Sequence, residues 1–140
     1  MSGEFIDTNI FIYLFDETDD YKRTIANQLI QQALETRSAC ISHQVIQETL
    51  NVVTRKLPSP MNAENAQRFL EQILVPLWQV MPSPALYQRG LALQPCYGFS
   101  FYDALIVSAA LEFGYTRLYT EDLQHGQQID GLLIENPFHV

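Results

Sequence analysis

At 140 residues, with 47% hydrophobic and 17% charged side chains, the chain has the makeup of one globular domain, too short for two ordinary ones and neither disordered nor fibrous. No apolar run approaches the roughly 18 residues that cross a bilayer, so no membrane association is expected. A net charge of −8 excludes bulk electrostatic attraction to nucleic acid, whose footprint is basic. It suits a basic partner, or a cluster of acids that needs cations.

The opening Met-Ser-Gly-Glu has no basic segment ahead of an apolar one, so no secretory signal is expected. Cys40 and Cys96 lie far apart and in no metal-binding or redox spacing. Both are expected to be reduced and buried, in a cytoplasmic protein.

In chain order, Phe5-Ile6 is a short apolar run that stops at Asp7, followed by Thr8, Asn9 and a second apolar run from Ile10 to Phe15. That is how a strand gives way to a helix. In an α/β protein the junction falls at the carboxyl edge of the sheet, where ligands bind. A polar turn, Asp16 to Asp20, leads into a helical pattern from Tyr21 to about Glu35. Ser38 to Ile41 is a strand candidate, and Ser42 is placed to cap a helix from His43 to about Lys56, stopped by Pro58 and Pro60. A helix over Asn62 to Leu74 and a strand over Leu77 to Met81 follow, the strand fenced by Pro76 and Pro82.

Ser83 or Pro84 opens a helix to about Leu93, and Gly98 ends a loop. Ser100 then starts the most apolar helix, Phe101 to Phe113, closed by Gly114. Arg117 to Thr120 and Leu132 to Glu135 are the last strands. Strands alternating with helices imply right-handed crossovers and a mostly parallel sheet. The expectation is a single three-layer α/β domain over residues 1–140 with about five strands.

Four acids stand out. Asp7 ends a strand, where it could cap the next helix or hold a ligand. Asp103 lies in a helix with almost nothing polar but itself and Ser108, and an ionised carboxylate there is costly unless paired or metal-bound. Ser100 three residues earlier also makes it part of a capping-box pattern. Glu48 falls at the edge of an apolar stripe beside Val45 and Val52, with Gln44, Gln47 and Asn51 further out. An ordinary solvated glutamate would sit the same way. Asp122 follows the Arg117 to Thr120 strand and repeats the hydroxyl-and-acid ending of the first, or is a plain loop acid. Glu121 ranks behind it.

Taken together, two acids end strands that run the same way and two sit on apolar helix edges. Such a cluster repels itself without a cation. Oxygen ligands without clustered His or Cys favour Mg²⁺ or Mn²⁺ over zinc, ions that activate water and stabilise in-line displacement at phosphorus.

On these positions the chain resembles a PIN-domain ribonuclease, in particular the VapC-type toxin of a type II toxin–antitoxin pair. The resemblance is carried by Asp7-Thr8-Asn9 after the first strand, Gln44 to Val53 around Glu48, Phe101 to Ile106 around Asp103, and Leu118 to Gly126 around Asp122. It runs over essentially the whole chain, in the family's order. The one departure is the short first strand, with Glu4 before Phe5.

The resemblance implies an α/β/α PIN-like domain with a five-stranded, mostly parallel sheet. It implies a homodimer that cuts single-stranded or loop RNA with Mg²⁺ or Mn²⁺, and a cognate antitoxin that covers the site, often with a basic side chain. Asp7, Glu48, Asp103 and Asp122 would hold one or two ions, partly through water, and metal-activated water would attack the phosphate in line. Thr8, Asn9 and Thr120 would orient those carboxylates.

Arg55 and Lys56 could touch phosphate, or only complement the end of their helix. Tyr97, Phe99 and Tyr102 could stack on a base. His43, His125 and His139 have no spacing that suggests acid–base work. Two rivals differ in class. One is a PIN-like domain that binds RNA or antitoxin without cutting. The other is a small Mg²⁺-dependent phosphatase, which would want a second Asp two residues after the first, where this chain has Asn9.

Overall fold

The computed structural model describes residues 3–140; the first two residues of the N-terminal run considered above lie outside them. The chain folds as an α/β sandwich with helices on both faces of a six-stranded sheet. Strand β1 (Glu4–Ile6) leads into helix α1 (Thr8–Ile12), which tightens into a 3₁₀ turn over Tyr13–Phe15. Then come α2 (Asp20–Thr36), β2 (Ala39–Ser42) and α3 (His43–Arg55). Next are α4 (Ala63–Phe69), a π-helical turn (Leu70–Leu74), α5 (Val75–Leu77) and β3 (Trp78–Val80). The chain closes with α6 (Pro84–Tyr97), α7 (Phe101–Glu112), β4 (Arg117–Tyr119), β5 (Gln128–Ile129) and β6 (Leu132–Glu135).

The strand order is β3-β2-β1-β4-β6-β5. All neighbours are parallel except β5 and β6. Strand β1 is therefore central, with Phe5 level with Cys40 on one side and Leu118 on the other. Phe5, Ile6, Ile41, Leu118 and Ile134 are fully buried, as strands covered on both faces require.

The sixth strand departs from the five expected. Ile129 and Leu132 pair across Asp130-Gly131, both at positive φ (49° and 88°). Asp-Gly is the preferred pair for a two-residue hairpin turn, but a strand of two residues carries no period to read. The helix expected over Asn62 to Leu74 instead runs on to Leu77, α-helical to Phe69, π-helical over Leu70–Leu74 and α-helical again over Val75–Leu77. Helix α6 runs four residues beyond its expected end, because Pro95 falls in an exposed last turn where water can take the freed carbonyl. Cys40 is buried, but Cys96 is exposed at the end of α6, against the expectation that both would be inside; both thiols are free. No helix among the described residues is long and apolar enough to cross a membrane.

Helix α7 is buried around most of its circumference from Ala104 to Ala110. It lies so close to α6 that a Cβ at Gly90 would meet Leu105 Cδ2 at 2.8 Å. The buried Ser108 hydroxyl donates to the Leu86 carbonyl at 2.6 Å. Both contacts fix the position of α7, and with it Asp103 in its first turn.

Candidate functional site

From β1 the chain builds outward in one direction through β2 and β3, and from β4 in the other. The crevice between the carboxyl ends of β1 and β4 is thus a topological switch point, where open α/β sheets receive ligands. Asp7 continues β1 into it, its N–H still donating to the Tyr119 carbonyl at 3.0 Å. The segment after β4 carries Asp122 into the same crevice. Helices α3 and α7 bring Glu48 and Asp103 to it. All four acids line one open cavity of about 610 Å³, together with Gln44, Asn51 and Lys56.

Asp7 caps α1 and faces this cavity at once. One carboxylate oxygen accepts from the Thr8 N–H at 2.7 Å. The other accepts from the Thr120 hydroxyl at 2.8 Å and, at the limit of bonding, from the Asn9 amide at 3.5 Å. Asp7 is only 5% exposed, and burial is the main reason its pKa rises from 3.8 to about 7. The Thr120 and Thr8 bonds oppose the rise, and the charges of Asp122 and Glu48 add to it.

Thr120, fully buried, is the hub of this half of the site. Besides donating to Asp7, its oxygen accepts from the Asp122 N–H at 3.1 Å and lies 3.4 Å from the Asn9 amide nitrogen. The Asn9 amide also donates to the Asp122 carboxylate at 3.0 Å, while its carbonyl accepts from the Glu121 N–H at 3.3 Å. One asparagine thus ties the ends of β1 and β4 together, donating through its amide nitrogen and accepting through its amide oxygen.

The helix-borne acids are held more lightly. Glu48 accepts one bond, from the Thr8 hydroxyl at 2.7 Å. The Asp103 N–H donates to the Ser100 hydroxyl at 3.2 Å, the capping bond expected of that pair. Its carboxyl is pushed up by burial, against the Ser100 bond, with a further upward push from Asp122.

Gln44 corrects the helical-wheel placement. Expected to point outward, it is 7% exposed and its amide donates to the Tyr102 carbonyl at 3.2 Å. That bond to the first turn of α7 links the helices that carry Glu48 and Asp103. A second group was not anticipated. Glu121 turns away from the cavity, forms an ion pair with Lys22 and accepts from the Tyr13 hydroxyl. Lys22 also donates to the Tyr13 oxygen at 3.1 Å, and its pKa is raised, first by the bond to Glu121. No sequence spacing links Lys22 to Glu121, so only the fold reveals the pair.

The histidines stand apart from this chemistry. His125 and His139 stack at 4.1 Å, and His125 accepts from the Asn136 N–H. Tyr97 and Phe99 stack on each other at 5.3 Å.

Apart from Lys56, the polar side chains lining the cavity carry oxygens or amides, which suits a small hard cation. Among the described residues no three His, Cys, Asp or Glu side chains approach closely enough to enclose one ion directly. Some ligands would have to act through water, as Mg²⁺, which keeps several waters, readily allows. The raised pKa of Asp7 comes chiefly from its burial, with the neighbouring acids adding to it, and a cation in the crevice would oppose both.

A mostly parallel sheet with an acid-lined crevice at its central switch point is the architecture in which α/β proteins bind ligands at strand ends. Residues 5–128 match the PIN domain family, and the chain belongs to that family. No curated protein matches the sequence. Solved structures similar to it include a toxin–antitoxin complex from Klebsiella pneumoniae, 20% identical with a TM-score of 0.73 over 99% of this chain and 100% of that one. VapBC2 from Rickettsia felis, bound to a fragment of promoter DNA, is 23% identical with a TM-score of 0.66 over 97% and 98% of the two chains. VapC20 from Mycobacterium tuberculosis, a toxin that cleaves the sarcin–ricin loop, is 18% identical with a TM-score of 0.64 over 86% and 90%. At these identities the likeness is one of fold.

Proposed function

We propose that the chain is a divalent-metal-dependent endoribonuclease and the toxin of a toxin–antitoxin pair. The observation that carries this reading is the convergence of Asp7, Glu48, Asp103 and Asp122 on one cavity at the β1/β4 switch point, in a PIN domain. Toxin–antitoxin complexes and an RNA-cleaving toxin among the similar structures support the same class.

In this reading the four carboxylates hold Mg²⁺ or Mn²⁺. A bound divalent cation would supply positive charge for the phosphate transition state and lower the pKa of water, so that hydroxide is available as the nucleophile. The chain's own part is orientation. Thr8 serves two carboxylates, giving its N–H to Asp7 and its hydroxyl to Glu48. Thr120 and Asn9 fix Asp7 against Asp122. The open cavity admits a phosphodiester between the strand-end and helix-borne acids. A basic antitoxin side chain would compete for the same acids, in keeping with the net charge of −8. The protein would act as a homodimer in the cytoplasm.

The test is cleavage of a panel of RNAs by purified protein with and without Mg²⁺, beside Asp7→Ala. Metal-dependent cutting that vanishes in the variant is expected. Cutting that survives it would sink the site assignment. Binding without cutting across the panel would favour a non-catalytic domain.

A further inference from the structure

The chain carries eight Lys and Arg residues against sixteen Asp and Glu, and nearly all the cations are spoken for. Lys22 pairs with Glu121, Arg23 with Asp20, Arg68 with Glu64, Arg89 with Glu112 and Asp130, and Arg117 with Glu135. Arg37 donates to the Pro76 carbonyl at 3.2 Å. Among the described residues only Arg55 and Lys56 have no such partner, and Lys56 alone of the two lines the acid-bordered cavity. Complementing the C-terminus of α3 would explain any cation there. It does not explain why one of them faces the cavity.

The other end of α3 meets a different surface. Gln44, in its first turn, bonds the Tyr102 carbonyl. Tyr102 is 62% exposed and Phe101 38%, their rings in edge contact at 5.4 Å. Two exposed aromatics next to Asp103, with no cation paired to them, are suited to stacking on unpaired bases rather than to reading phosphates. From Gln44 to Lys56 α3 rises roughly 18 Å, with Glu48 about a third of the way along.

Resting on the nuclease reading above, we propose that an unpaired RNA strand lies along α3, one phosphate against Lys56 and a base against Tyr102, with the cut between them at Glu48. A protein of this charge has little bulk attraction for RNA. A single uncommitted cation and a stacking edge on either side of the acids replace it. Lys56 and Tyr102 set where the strand sits, and the carboxylates do the chemistry.

The experiment measures binding of a fluorescent unpaired oligonucleotide to the full-length protein by anisotropy, and steady-state cleavage of the same RNA. The proteins compared are wild type, Lys56→Gln, Lys56→Arg, Tyr102→Ala and Tyr102→Phe. Lys56→Gln and Tyr102→Ala are each expected to weaken binding and raise KM roughly tenfold, with kcat nearly unchanged. Lys56→Arg and Tyr102→Phe should restore both. The salt dependence of binding should become shallower in Lys56→Gln and stay the same in Tyr102→Ala.

Unchanged binding and KM in both losses would overturn the proposal while wild-type cleavage kept the nuclease reading. Binding that falls as expected in a protein that cuts nothing would overturn that reading and keep the track. A Tyr102→Ala protein that changes from dimer to monomer in sedimentation, with RNA affinity unaltered, would mark the aromatic edge as a subunit contact and overturn its role here.

Discussion

The two halves of the candidate site are built differently. On the strand side, Asp7 and Asp122 are fixed by a closed set of bonds through Thr120 and Asn9, with Thr120 fully buried. On the helix side, Glu48 accepts a single bond from Thr8, and Asp103 is anchored through its backbone to Ser100. The strand half is set when the sheet forms, because β1 and β4 pair directly. The helix half depends on how α3 and α7 pack, with the Gln44 amide as their polar link. A site made this way has one rigid wall and one that can adjust by a rotamer. A cation would be met by prepositioned oxygens on one side and gathered by mobile ones on the other.

The largest expected effect comes from the rigid wall. Asp7→Asn should lower Mg²⁺-dependent RNA cleavage roughly a thousandfold, the scale of losing several kcal/mol of charge stabilisation. Its effect on stability should run the other way. Asp7 has a folded pKa of about 7 against 3.8 ordinarily, so the folded protein holds this proton more tightly than the unfolded chain. That contribution is complete below the unfolded value and is lost as pH rises through the folded one. In EDTA the melting temperature should therefore fall between about pH 4 and pH 7 and level off above, over a range worth up to roughly 4 kcal/mol. Saturating Mg²⁺ should flatten the fall, and Asp7→Asn should remove most of it, leaving the smaller share of Asp103. A metal-free melting temperature that rises across this window would contradict the burial of an uncompensated carboxyl.

Next in size is the contrast between two threonines. Thr120→Val strips Asp7 and Asp122 of a shared partner in a fully buried position. It should cost about 2–3 kcal/mol in urea unfolding, because the groups left behind are desolvated. Thr8→Val keeps the backbone bond to Asp7 and frees only the half-buried Glu48. It should cost about 1 kcal/mol of stability, yet lower Mg²⁺ affinity or activity roughly tenfold, as losing an orienting partner does. Equal destabilisation by the two would erase the distinction between rigid and adjustable walls.

The same contrast explains what was legible in the sequence. Asp7 and Asp122 announce themselves because a strand that stops at an acid is a local pattern, and the Ser42 and Ser100 caps were readable for the same reason. Glu48 and Asp103 needed the helical period. That period misled at Gln44, whose amide bonds the Tyr102 carbonyl, a contact between residues far apart in the chain. Strand β5 escaped notice although Asp130-Gly131 is a hairpin signal, since two residues cannot show alternation. Lys22 could not have been paired with Glu121 from spacing at all. Local chemistry was visible, and packing between distant elements was not.

That last pair gives the smallest and most discriminating effect. Lys22, Tyr13 and Glu121 brace the loop carrying Asp122. Both charged side chains are 27% exposed, so solvent screens the pair and Lys22→Met should cost only about 0.5–1 kcal/mol in urea unfolding. If the rigid wall owes its rigidity to Thr120 and Asn9, Mg²⁺ affinity should change less than threefold. If the brace is what aims Asp122, affinity should fall tenfold or more while overall stability barely moves. Combining Lys22→Met with Asn9→Ala separates the cases, because independent supports give additive losses and a shared one does not. Coupling beyond about 0.5 kcal/mol would extend the rigid wall outward to α2, making Lys22 part of how the strand half of the site is held.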